Sequence, residues 1–445
     1  MKFAADLHIH SRYSRATSKH LNIASLAAWS RIKGVHVLGT GDFTHPAWLQ
    51  QLKEVLEPAE PGFYRLRDSV TRDYSSLLRS SVCAEAIPTR FVLTAEISCI
   101  YTKAGKVRKV HNILFVPDFL SAENINSRLG AIGNLASDGR PILGLDCRDL
   151  LEIVLENSAH GFLVPAHIWT PWFSLFGSKS GFDCLDDCFE DLSEHVFALE
   201  TGLSSDPAMN RLVSSLDKYS LISNSDCHSP AKLCREANLF DTGFDFYSLK
   251  EAIKNPCDSS GRQHFTATIE MYPEEGKYHH DGHRKCGFCC VPTKSRSLDG
   301  RCPRCGKQLT IGVLSRIMDL ADRDAPRYPE GSPAVYSLIP LQEILSEIVQ
   351  VGVNSKTVRD HYLQCVERFG SELNVLIRTP VAELASSYSP LLAESIHRMR
   401  QEKVIRSPGF DGEFGSISVF QAGEEELYRQ QGERLVRKAG KRTKT

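Results

Sequence analysis

No stretch of this 445-residue chain is apolar for long enough to cross a bilayer, and its amino end carries no signal-peptide pattern: Met1-Lys2-Phe3 leads straight into a strand-like run. An excess of one charge is also missing. The formal net charge is −1, so the chain as a whole is no electrostatic sponge for nucleic acid, and such binding must come from local patches. Internal repeats and low-complexity tracts are absent. The 14 cysteines are not spaced as a secreted disulfide framework. Most stand singly within strands and helices, as small buried hydrophobes do. These absences predict a reducing, cytoplasmic setting and no membrane partner. What remains is globular: 42% hydrophobic and 9% aromatic content can fill a core, and the length allows two or three domains.

Within that chain, metal-ligand residue types gather at strand ends. Asp6-Leu7-His8-Ile9-His10 closes a short apolar strand beginning at Phe3. Strands alternate their side chains, so Asp6, His8 and His10 point the same way. Asp226-Cys227-His228 repeats the spacing after the apolar run from Tyr219 to Ile222. Between them, Asp42, His45, Glu96, His111 and His167 each stand just past or inside an apolar run. One His-x-His says little. Two such motifs with five further ligand types point to metal binding. His36, His160, His195 and His264 have no second ligand beside them and read as ordinary hydrogen-bonded histidines.

Apolar runs at 35–42, 90–101, 109–116, 141–145, 161–168, 196–200, 219–228 and 237–240 read as strands. Helix-compatible stretches separate them, such as Ile23 to Ile32 with Asn22 as its cap. This alternation predicts an α/β fold with a parallel sheet. Such sheets present ligands at the carboxyl ends of their strands. A flat sheet would spread those ends out, and a closed barrel gathers them, so a barrel is expected over residues 1–275. A late helix is predicted from the capping-box pattern Ser248-Leu249-Lys250-Glu251.

Residues 276–312 read as a separate module. Cys286-Gly287-Phe288-Cys289 and Cys302-Pro303-Arg304-Cys305 predict a structural zinc site of four cysteines, with Cys290 to spare. The intervening loop, with Lys294, Arg296 and Arg301, either contacts phosphate or is solvated surface. Residues 313–445 read as mainly helical. Pro340 opens one helix with Leu341, Ile344, Leu345 and Ile348 on one face. Thr379-Pro380 and Ser389-Pro390 open two more, and Arg434 to Thr445 is a basic tail.

A pocket with His8, His10, Glu96, His111, His167, Asp226 and His228 has room for two or three divalent metals, and Glu96 is suited to bridge two of them. Imidazole-rich shells suit zinc, manganese or iron better than magnesium. Zinc, manganese and magnesium are the ions to test.

The motifs DLHIH (6–10), GTGD (39–42), TAEIS (94–98), His111, His167 and SDCH (225–228) resemble the PHP superfamily of metal-dependent phosphoesterases. That resemblance implies a distorted (β/α)7 barrel holding a multinuclear metal cluster. Two departures stand out. Phe43 follows Asp42 where the superfamily has Asp-His, leaving His45 to supply the imidazole or one metal position weak. Tyr13 and Arg15 stand where a further histidine is usual. Longer strings, DLHIHSRYSRATSKHLN (6–22), GTGDFTHP (39–46), PAHIWTPWFSLFGSKSGFD (165–183) and ETGLSSDPAMN (200–210), resemble the endonuclease Q family. So does the order of barrel, four-cysteine module and helical region.

This second resemblance covers nearly the full length. It implies a cytoplasmic, nucleoid-associated DNA repair endonuclease acting on double- and single-stranded DNA. The enzyme would nick 5′ to deoxyuridine, deoxyinosine, deoxyxanthosine or an abasic site, leaving a 3′-hydroxyl and a 5′-phosphate. Asp226, Glu96, His8 and His10 would be its catalytic residues. Whether a sliding clamp or a helicase is a partner stays open. An enzyme that reads a damaged base extrudes it. Trp169, Trp172, Phe173 and Phe176 would stack on that base or else pack the barrel rim. Arg12, Arg15, Lys19 and Lys179 would neutralise phosphates or else stay solvated. Two other readings remain. A small-molecule phosphatase leaves the four-cysteine module and the extension unexplained, and a non-catalytic DNA-binding module has only Phe43 in its favour.

Overall fold

The computed structural model describes residues 1–71 and 88–424. The basic tail expected at 434–445 lies outside the described residues. Among the described residues, twelve strands precede residue 275: β1 (Lys2–Asp6), β2 (Val37–Gly39), β3 (Leu56–Pro58), β4 (Tyr64–Leu66), β5 (Arg90–Lys103), β6 (Lys106–Val116), β7 (Ile142–Leu143), β8 (Phe162–Pro165), β9 (Ala198–Glu200), β10 (Ser220–Ile222), β11 (Ala237–Asp241) and β12 (Phe265–Glu270). The architecture is mixed α/β around a large central sheet.

β1 lies inside that sheet, parallel to β2 and antiparallel to β11. Its run of Phe3, Ala4 and Ala5 suits a strand buried on both faces. From β2 the ladder continues through β5 and β6 to β8. Beyond β8, the Ile168 N–H donates to Glu200 O at the end of β9 (3.1 Å). β9 then pairs with β10 in parallel. Past β10, Cys227 bridges back to Ile9, just after β1. Phe3, Ala5 and Leu7 pack with Val37, Val92, Ile113, Val164, Ala198 and Ile222, so every strand on this path feeds one apolar cluster.

The expected parallel sheet holds only in part: β1 runs antiparallel to β11, and β5 and β6 form an antiparallel hairpin. Only Ala104 and Gly105 separate them, both with positive φ (51° and 73°). That is the geometry of a tight hairpin turn. A parallel crossover needs a dozen or more residues. β6 therefore runs antiparallel between β5 and β8.

Helices flank the sheet. Asn22 caps Ile23–Lys33 as predicted, accepting from the Ser25 N–H. The late helix spans Phe246–Lys254, and its cap is Asp245, which takes the Tyr247 and Ser248 N–H groups. Ser248 is inside the helix and donates its hydroxyl to Asp245. After residue 275 come β13 (Asp281–His283) and β14 (Phe288–Cys290), an antiparallel pair. Helices Val313–Leu320, Leu341–Val349, Lys356–Phe369, Val381–Ser387 and Pro390–Arg400 follow. Between the first two of these helices, β15 (Ala334–Ser337) joins β12 in parallel and ties this region to the central sheet. Among the described residues, no helix is long and apolar enough to cross a membrane.

Candidate metal centre

The strand path sets His8, His10, Glu96 and Asp226 around one point, with a ligand atom of each within 4.8 Å of the others. His10 Nε2 lies 3.0 Å from Asp226 Oδ1 and 3.2 Å from Glu96 Oε2, and His8 Nε2 lies 3.4 Å from Glu96 Oε2. His8 Nε2, His10 Nε2 and Asp226 Oδ1 are buried, and close as they lie, none makes a well-aligned hydrogen bond. Buried polar atoms rarely go unpaired. Three aimed at one spot fit a divalent cation.

Glu96 also belongs to a second group, with His111 and His167. Its Oε1 lies 2.6 Å from His111 Nδ1 and 3.1 Å from His167 Nε2. One carboxylate oxygen thus faces each group, as a bridging ligand requires. The hairpin makes this possible: Glu96 is on β5, and β6 returns His111 opposite Ser98.

The electrostatics also favour cations. Burial works against an imidazolium at His8, yet Glu200 and Glu96 raise its pKa well above the ordinary value. Burial works against the Asp226 carboxylate as well, but His10 and His8 pull its pKa well below the usual range. Arg140, which the sequence reading missed, donates from Nη1 to Glu96 Oε2 at 3.1 Å. It precedes Pro141 in a polar turn with no ligand-like spacing to draw attention to it.

The histidines of these groups are held from behind. His8 Nδ1 lies 3.0 Å from both Glu200 oxygens, and Glu200 also accepts the His167 N–H (2.8 Å) and the Asn224 amide (2.9 Å). Glu200 was legible as one more acid ending an apolar run, but it was not read as part of the site. Gly202 lies close behind His167, where a Cβ would collide with the His167 Cβ. Asp42 stands outside both groups and hydrogen-bonds to a member of one. It holds His10 Nδ1 (3.1 Å) and accepts from the Ser11 N–H and the Ser11 and Ser14 hydroxyls. Groups of this kind fix the tautomer and angle of a ligating imidazole. Glu200→Gln is expected to weaken metal binding roughly 10- to 100-fold, the usual cost of losing such a partner. Titration against a chromophoric chelator would check this, and unchanged affinity would deny Glu200 the role.

Two other expected ligands stand apart from both groups. His45 caps the helix Pro46–Val55 and stacks on Tyr13 with ring centroids 4.3 Å apart. His45 belongs to neither ligand group, and Phe43 is buried in the core. His228 sits at the rim, its Nδ1 2.9 Å from Asp226 O and its ring 4.8 Å from that of His10. Asp6 shares the face of His8 but is consumed by the Ser225 and Cys234 N–H groups.

The residues expected to meet DNA divide by depth. Trp169 is 1% exposed, packs on Phe176 and donates to Asn210, so it is core and not free to stack on a base. Trp172 is 40% exposed. Phe173, with φ 61°, lies against His111 at 4.9 Å. Arg12, Arg15 and Lys179 are exposed; Arg12 meets Gln51, and Arg15 pairs with Asp138.

In the second module, Cys286, Cys302 and Cys305 come together with His283, and Cys289 stays outside the group. The β13–β14 register explains this. Cys289 pairs with Gly282, so it shares that residue's face, and His283, one residue on, points to the other. Cys289 Sγ meets His280 Nδ1 at 3.8 Å, whereas His283 Nδ1 meets Cys305 Sγ at 3.5 Å.

Residues 340–403 match the MJ0043 C-terminal domain family. The uncharacterised protein MJ0043 of Methanocaldococcus jannaschii is 33% identical over 271 residues, 59% of this chain and 32% of that protein; this chain therefore spans about a third of that relative's length. The crystal structure of the lesion-specific endonuclease PfuEndoQ from Pyrococcus furiosus superimposes with a TM-score of 0.79 at 30% identity, covering 94% of this chain and 95% of that one. A structure of Endonuclease Q with a 27-mer duplex bearing an abasic lesion at its active site matches with the same score and identity, over 95% and 98% of the two chains. Identity and fold thus agree along almost the whole of both chains, and this chain belongs to the endonuclease Q family.

Proposed function

We propose that this protein is a metal-dependent DNA repair endonuclease. It hydrolyses the phosphodiester 5′ to a deaminated base or an abasic site, leaving a 3′-hydroxyl and a 5′-phosphate. The observation that carries this reading is the pair of ligand groups sharing Glu96, with three buried atoms, none in a well-aligned hydrogen bond, aimed into one of them. The family's solved members, one described as lesion-specific and one bound to an abasic duplex, support the choice of substrate. The same reading takes the seven-strand path as a distorted (β/α)7 barrel. It gives His283, Cys286, Cys302 and Cys305 one structural zinc.

His8, His10, Glu96 and Asp226 would hold one divalent ion, and Glu96, His111 and His167 the other. Such a pair supplies Lewis-acid chemistry, lowering the pKa of water and offsetting charge on the phosphoryl oxygens. The protein's own groups do the positioning. Glu200 and Asp42 keep the Nε2 atoms of His8 and His10 turned inward. Arg140 stands at the edge of the cluster, where its guanidinium can orient a phosphate oxygen. Arg12, Arg15 and Lys179 would engage the backbone, with Trp172 and Phe173 beside the extruded base.

Labelled duplexes carrying one deoxyuridine, one deoxyinosine, one abasic site or no lesion test the reading, with manganese, magnesium or chelator. A metal-dependent nick directly 5′ to the lesion, absent from the intact duplex, is expected. Cutting of all duplexes alike would replace lesion repair with general nuclease activity. Asp226→Ala should cut about 10³-fold more slowly or worse, since several kcal/mol of charge stabilisation depend on this group. A normal rate would remove Asp226 from the centre.

A further inference from the structure

Among the described residues, Phe414 is the most exposed large hydrophobic side chain, at 74%. An outward phenylalanine costs solubility and suits a contact surface. Its loop is built with care. The Gly409 N–H donates to Glu274 O (2.8 Å), the Gly412 N–H to Lys277 O (3.0 Å) and the Gly415 N–H to Glu275 O (3.1 Å). The close fit needs glycine at 415, where a Cβ would collide with Glu274 O. Asp411, the loop's other acid besides Glu413, is turned inward onto the Arg284 N–H and the Thr310 hydroxyl, and Glu413 pairs with Arg284. The loop therefore presents Phe414 outward on a rigid base, with its acids engaged.

Phe414 continues a line that starts at the metal centre. Phe173 lies on His111, and Trp172 immediately precedes it in the chain. The Trp172 and Tyr278 rings meet at 5.7 Å, edge to face. Beside Tyr278, Lys277 holds its ammonium 4.3 Å from the centre of the Phe414 ring. Aromatic faces alternating with a cation are how proteins grip unpaired nucleic acid without reading its sequence. We infer that Trp172, Tyr278, Lys277 and Phe414 form a stacking strip for unpaired bases of the strand being cut. This rests on the proposed endonuclease reading and extends it from the metal centre to the 408–415 loop.

The test uses the full-length protein with its metals. The wild type is first assayed for nicking at an abasic duplex; if it does not nick, the endonuclease reading itself fails. Anisotropy then gives its affinity for an undamaged, labelled thymidine single strand, which is not a substrate on that reading. Phe414→Ala should weaken this binding roughly 5- to 100-fold, the weight of one lost base stack. Phe414→Trp should bind within about threefold of wild type, and Phe414→Leu should resemble alanine, because stacking needs a ring and greasiness alone does not supply it. Nicking by the wild type with unchanged single-strand affinity in Phe414→Ala would overturn the strip and leave the endonuclease reading standing. Full recovery by leucine would also overturn it.

Discussion

Glu96→Ala is expected to leave a folded protein that carries neither active-site ion and cuts lesion DNA at least about 10³-fold more slowly, the worth of several kcal/mol of lost charge stabilisation. Each ligand group loses its shared member, because Oε2 faces His8 and His10 while Oε1 faces His111 and His167. Its removal also leaves five basic groups, counting Arg140, around a buried space without their common anion. Burial works against the Glu96 carboxylate, but His111, Arg140 and His8 hold its pKa well below the ordinary value. The site is thus matched to a negative charge at this position. Glu96→Gln keeps the shape and loses the charge, so it should follow alanine in metal content. Elemental analysis beside the nicking assay checks both variants. A variant that retained both ions would show that the two groups do not depend on a shared carboxylate.

Much of this centre was legible because its residues stand just past apolar runs or, like Glu96 and His111, inside them, and the strands of an α/β fold bring such positions to one place. The two His-x-His-like motifs located it. Spacing does not distinguish a member of the two groups from a residue that hydrogen-bonds to a member. Asp42 follows a strand as Asp226 and His167 do, and like them it has a left-handed backbone, but its oxygens are taken by Ser11, Ser14 and His10. Glu200 carried the same signature, an acid closing Val196 to Glu200, and its role emerged only once His8 was seen to lie over it. Trp169 misled for a related reason. It directly follows Ile168, just past His167, yet the chain turns it inward to Asn210.

The cysteine module taught the opposite lesson. Two C-x-x-C knuckles predict four thiolates, but knuckle spacing assumes that both cysteines of a pair reach the same side. In this chain Phe288–Cys290 is a strand, and its alternation turns Cys289 toward His280. His283 was visible in the sequence but stood outside the expected spacing. The β5–β6 hairpin was hidden in the same way. Both strands were read correctly as strands, and only the two-residue turn between them decides that they run antiparallel.

Lys33→Ala should destabilise the junction between the first helix and the C-terminal helices by about 3–5 kcal/mol, the usual cost of stranding one member of a buried ion pair. Lys33 and Glu372 are 4% and 5% exposed, with Nζ 2.5 Å from Oε2. Glu372 also accepts the Leu341 N–H (3.0 Å) and the Tyr362 hydroxyl (2.6 Å), so one carboxylate ties the helices Ile23–Lys33, Leu341–Val349 and Lys356–Phe369. The contact is close: a Cβ at Gly34 would meet Ser371 Oγ at 2.5 Å. Without the ammonium, the carboxylate keeps two neutral donors, too few to offset its desolvation. Lys33→Met with Glu372→Gln should recover more than half of the loss, since the amide oxygen still accepts from Leu341 and Tyr362 and no buried charge remains. Amide exchange across 341–369, followed with urea, measures this locally. If Lys33→Ala exchanged there at the wild-type rate, the pair would be a bystander at the junction between the first helix and the C-terminal helices.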